Sequence, residues 1–131
     1  MNPKLRDQFD RHLEAVLDQF PESVRRLLEK VPLHVEDYPP ADVLARTGIT
    51  CRETLCGLYT GIPLTERSVQ HTAPLPDVVT IYREGILSLA RTPRGGISTE
   101  ALREQIRVTV LHELGHHHGL TEADLTQLGY G

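Results

Sequence analysis

Apolar residues recur at helical spacing from the first turn of the chain. Leu5, Phe9, Leu13, Val16, Leu17 and Phe20 follow a period of about 3.6 residues, which predicts an amphipathic helix with one buried stripe. Asn2 can cap it, and Pro3 suits its first position. Pro21 ends that helix and can start another, whose apolar face is Val24, Leu27, Leu28 and Val31. The period then changes. Leu33-His34-Val35-Glu36 alternates and runs into the turn Asp37-Tyr38-Pro39-Pro40, which predicts a short strand. Residues 41–46 fit one or two helical turns before Gly48. Cys56 to Thr60 reads as a second strand closed by Gly61. Val78-Val79-Thr80-Ile81-Tyr82, β-branched and aromatic, is the strongest strand signal, and Pro74 and Pro76 keep its approach out of the sheet interior. Ile86 to Ala90 fits a fourth strand or a turn of helix equally well.

The last long pattern is a helix. Pro93-Arg94-Gly95-Gly96 is a turn, Ser98 an N-cap, and Ile97 and Leu102 have the spacing of a hydrophobic staple. The helix should run from about Thr99 to His118 and stop at Gly119. Leu102, Ile106, Val108, Val110, Leu111 and Leu114 surround much of it, so it should be packed on more than one side and sit centrally. A short final helix from Thr121 to Leu128 is expected. No repeat, low-complexity tract or long linker interrupts the pattern, which predicts a single α+β domain over residues 1–131.

Composition narrows the function. Hydrophobic residues make up 39% and there is no Trp, so Leu, Val and Ile must build the core. The formal charge of −4 offers no footprint for nucleic acid or an anionic membrane. Charges break up the N-terminus, and no apolar run reaches the ~18 residues of a membrane span, so a cytoplasmic protein, monomeric or weakly oligomeric, is the expectation. Cys51 and Cys56 have four residues between them, which is not a redox or zinc spacing, and they are expected to be small buried hydrophobes.

The chemistry lies in His112-Glu113-Leu114-Gly115-His116. Histidines four residues apart on a helix project from one face, and two imidazoles can reach a single metal at about 2.0–2.1 Å. Glu113 stands about 100° round the axis from His112, displaced from the ligand pair but placed to touch a metal-activated water. That is the division of labour of HExxH hydrolases, with two ligands and one general base. A zinc hydrolase wants a third protein ligand, and His117, His118, Glu122, Asp124 or an upstream residue are candidates. Gly119 lets the chain turn back, and the run to Glu122 matches the spacing of the third metzincin ligand, so Glu122 leads and Asp124 follows. His117 and His118 are expected as helix-end charges, or in one case supporting a metal ligand or lining the cleft. His12, His34 and His71 lack partners at ligand spacing. Tyr59, Tyr82 and Tyr130 are candidate donors to an oxyanion or substrate.

The run Val108-Thr109-Val110-Leu111-His112-Glu113-Leu114-Gly115-His116-His117-His118-Gly119-Leu120 resembles the zincin-like metallopeptidase family of short bacterial proteins, the minimal metallopeptidases. Gly57-Leu58-Tyr59 with Gly61, Pro76-Asp77 leading into Ile81-Tyr82-Arg83, and Val35 to Pro40 carry the same resemblance, which extends from about residue 20 onward. It implies a compact α+β zincin-like fold: N-terminal helices, a small mixed sheet of three to four strands and a central zinc helix near the C-terminus. It also implies His112, His116 and the acidic residue at 122 as zinc ligands, with Glu113 as base. Position 122 is Glu where true metzincins have His, and no Met follows the motif, so there is no Met-turn.

The reading that follows is a zinc-dependent peptidase acting on a peptide or protein, with the strand Val78 to Tyr82 offered for edge pairing with the substrate. Two alternatives stand beside it. A metal could staple a non-catalytic binding or regulatory module, in which case four protein ligands would close the site. A metal-dependent endoribonuclease shares the 112/116/122 spacing, but the acidic balance and the Glu residues at 113 and 122 fit it poorly.

Overall fold

The computed structural model describes residues 1–61, 77–119 and 123. Helix α1 (Pro3–Gln19) begins as its sequence dictates: the Asn2 side chain accepts the Lys4 N–H at 2.8 Å, and Pro3 occupies the first turn. Helix α2 (Glu22–Lys30) follows Pro21 directly. Strand β1 (Leu33–Glu36), helix α3 (Ala41–Thr47), a short 3₁₀ turn (Arg52–Thr54) and strand β2 (Gly57–Thr60) come next. Strand β3 (Val78–Tyr82), helix α4 (Arg83–Ala90) and helix α5 (Thr99–His117) complete the described elements.

The sheet order is β1-β3-β2. β1 lies parallel to β3, with Leu33 opposite Val79 and Val35 opposite Ile81. β2 lies antiparallel to β3, with Gly57 opposite Ile81 and Tyr59 opposite Val79. The sheet is therefore mixed, as the resemblance implied. β3 is its middle strand, so both its edges are already paired. The expectation that β3 receives a substrate strand is thereby overturned, and among the described residues the outer edges fall to β1 and β2.

Alternation along the strands puts Leu33, Val35, Gly57, Tyr59, Val79 and Ile81 on one face. Helix α5 packs on that face and also touches α1 and α4. Leu102, Ile106, Val110 and Leu114 of α5 join Phe9, Leu13 and Val16 of α1, Val79 and Ile81 of β3, and Ile86 and Leu87 of α4 in one buried cluster. The expected central position of the motif helix follows from its packing against the sheet, α1 and α4.

The stretch that fitted either a strand or a helix is helical, and burial explains why. Ile86, Leu87 and Ala90 are all buried. A helix brings those positions to one side, whereas a strand would send neighbours 86 and 87 to opposite faces. The change from strand to helix falls between Tyr82 and Arg83, with no capping side chain to announce it.

Arg83 ties this junction to the rest of the molecule. Its side chain is only 11% exposed. Its Nε donates to Asp10 of α1 at 3.0 Å, and its Nη1 donates to Asp37, after β1, at 2.9 Å. Arg6 makes a second fork to Asp37, and the two guanidinium groups, Arg6 first, hold that carboxyl below its ordinary range. His12 Nδ1 accepts from Arg103 Nε at 3.0 Å and links α1 to α5, and burial lowers its pKa first, with the nearby Arg103 charge adding to the effect. Cys51 departs from expectation: it is exposed, and its thiol donates to Glu53 at 2.7 Å. Only Cys56 is half-buried, and both are free thiols. No helix of the described residues is long and apolar enough to cross a membrane.

Candidate metal centre

Helix α5 starts where Ser98 Oγ accepts the Ala101 N–H at 3.2 Å and ends with His118 at its C-cap. The spacing of its apolar residues fixes its rotation: the stripe through Leu102, Ile106, Val110 and Leu114 is driven into the core, and His112, Glu113 and His116 fall beside it. His112 and His116 are half-buried, with ring centroids 4.9 Å apart at 78°. Glu113 is 8% exposed, and one of its carboxylate oxygens lies 3.8 Å from His112 Nε2. One ligand atom from each of the three lies within 4.8 Å of the others. Among the described residues this is the one such group of three or more metal-capable side chains. Two imidazoles one turn apart on a packed helix suit zinc, and the carboxylate beside them is placed to serve either the metal or a water on it.

Strand β2 closes in on Glu113 from the sheet side. A Cβ at Gly57 would stand 2.9 Å from Thr109 Cγ2 and 3.1 Å from Glu113 Cγ, so only a glycine lets the strand come this near. The neighbouring Cys56 thiol is pushed up to about 11, by burial first and then by the charge of Glu113.

Two residues along β2 span about 6.6 Å, and four residues along a helix about 6 Å. That match carries the pairing forward: Gly57 meets Glu113, and Tyr59 meets His117. The Tyr59 hydroxyl donates to Asp77 Oδ1 at 2.8 Å and lies 3.4 Å from His117 Nδ1. His117 Nδ1 is 3.7 Å from Asp77 Oδ2, and the Tyr59 and His117 rings meet edge-on with centroids 5.7 Å apart. His117 is 5% exposed. The sequence offers it as a helix-end charge, a support beside a metal ligand or a cleft residue; the structure turns it towards the sheet, against Tyr59. Its place four residues after Glu113 on one helix face, opposite an alternate residue of β2, was the available signal.

The other expected residues separate. Tyr82 is 2% exposed and alternates to the face of the sheet away from Gly57, and its phenol is pushed up to about 12 by burial and then by Glu36. His118 is exposed. Gly119 has φ +81, the left-handed conformation expected where the chain turns after α5. Glu122, Asp124, Tyr130 and His71 lie outside the described residues, as does all but Ala123 of the expected final helix.

Residues 28–131 match the family model described as zincin-like metallopeptidase. None of the curated proteins compared with the chain matches it.

Proposed function

Because the chain belongs to the zincin-like metallopeptidase family, we propose that it is a zinc-dependent peptidase with Glu113 as its general base. The observation that carries this reading is the close grouping of His112, Glu113 and His116 on one buried helix. His112 and His116 would hold the metal, with Glu122 the expected third ligand. A zinc ion held there would supply Lewis-acid chemistry, polarising a scissile carbonyl and lowering the pKa of an attacking water towards ~7.

The protein's own groups do the rest. Glu113 accepts a proton from the attacking water and later delivers it to the leaving nitrogen. The close approach of Gly57 to the Glu113 stem leaves that side chain little room on the β2 side. Among the described residues the outer edge of β2, a strand that α5 packs against, is unpaired and would offer backbone N–H and C=O groups to an extended peptide. These features favour a peptide or protein substrate.

The test is cleavage of an unstructured peptide mixture by the purified protein, with and without chelator, beside a thermal melt of each form. Cleavage should stop on chelation and return with added zinc. A large loss of stability on chelation, from a zinc-loaded protein that never cleaves, would replace the peptidase with a metal-stapled module.

A further inference from the structure

We propose that Asp77 and Tyr59 are positioning residues which hold the last turn of α5 in register with β2, and through it set His116 and Glu113. This rests on the reading of His112 and His116 as the metal-holding pair.

The need for such a brace is visible in the helix itself. Leu114 is the last apolar side chain of α5, and Gly115-His116-His117 follow it to the end. Apolar packing therefore stops just before the second metal-capable histidine. Among the described residues, holding the last turn against fraying falls to polar groups.

The structure supplies polar groups at that place. His117, one residue beyond His116, is turned into the sheet against the Tyr59 ring. Asp77 accepts a hydrogen bond from the Tyr59 hydroxyl and faces His117 with its other oxygen. The three come from the end of α5, the middle of β2 and the residue before β3, so fixing them fixes the helix end against both strands. Glu113 and His117 are one turn apart on the same helix face. A slip of β2 at Tyr59 would therefore be a slip at Gly57, which abuts Glu113.

A second feature fits this contact. Gly61, just after β2, has φ +139, a conformation that L side chains rarely adopt. A Cβ there would strike Asp77 Oδ1 and stand 2.9 Å from the Tyr59 hydroxyl oxygen. The chain is left bare where Asp77 and Tyr59 meet.

Cobalt(II) titration, read by the visible absorption of the bound ion, tests the brace on the full chain without relying on turnover. Tyr59→Phe keeps the ring and removes only the hydroxyl. It should weaken cobalt(II) binding roughly tenfold and alter the band shape, as losses of supporting contacts around a metal commonly do. Asp77→Ala should do the same, and Asp77→Asn, which keeps an acceptor for the hydroxyl, should recover most of the affinity. In peptide assays kcat should fall with KM nearly unchanged. Leu13→Ala, a core truncation in α1, should cost stability but leave the cobalt(II) affinity and band alone. If Asp77→Ala does not fold, Tyr59→Phe decides. A Tyr59→Phe protein with wild-type affinity and spectrum overturns the brace while leaving the metal reading intact. A wild-type chain that takes up no cobalt(II) overturns the metal reading, and the brace falls with it.

Discussion

Replacing Glu113 with glutamine should lower peptide turnover by about 10²–10⁴-fold and leave zinc uptake near the wild-type level. The substitution keeps the length and volume of the side chain, so the close fit against Gly57 survives. His112 and His116 are untouched, and they are the residues expected to hold the ion. What is lost is the basic oxygen, because an amide cannot take a proton from water near neutral pH. The prediction therefore separates the base from the ligands. Glu113 is also one of the three metal-capable side chains grouped on α5. If it were a ligand instead, glutamine would weaken zinc binding and turnover together. Single-turnover kinetics beside a zinc titration distinguishes the two, and a variant that stays fully active removes Glu113 from the proton transfers.

Arg83→Met should destabilise the protein by about 2–3 kcal/mol without changing metal affinity. Methionine retains most of the apolar stem but none of the donors. Arg83 makes three charge-assisted hydrogen bonds, two to Asp10 and one to Asp37. Hydrogen bonds to charged groups are each worth about 1.5–3 kcal/mol when buried, but Asp10 is nearly half exposed and its share must be discounted. Asp37 keeps Arg6 as a partner, which limits the loss further. Urea unfolding should show a lower midpoint with an unchanged slope. A change within ~0.5 kcal/mol, the usual range for surface substitutions, would mean that the junction between β3 and α4 is held by apolar packing alone.

The chain announces its metal helix more clearly than the setting of that helix. Ser98, the staple residues and the apolar period placed α5 to within a residue of its observed end, because caps and periodicity are local. The Ile86 to Ala90 run was ambiguous because a few apolar residues fit either period, and only packing against α5 decides between them. The middle position of β3 could not be read from its own residues, since strand order depends on which partners arrive from elsewhere in the chain. The contacts around Arg83 span 73 and 46 residues, beyond any local pattern. His117 was legible as a residue but not as a contact: Tyr59, to which it turns, lies 58 residues earlier. The motif named the residues able to bind metal, and the long-range packing of β2 against α5 supplied their surroundings.

The central claim is that the helix bearing His112 and His116 holds a catalytic metal, and zinc content tests it most directly. The purified protein, dialysed against trace zinc, should retain a stoichiometric amount by elemental analysis, and His116→Ala, folded by circular dichroism, should retain almost none. Wild-type protein without zinc, or a His116→Ala variant that keeps as much as wild type, would contradict the account.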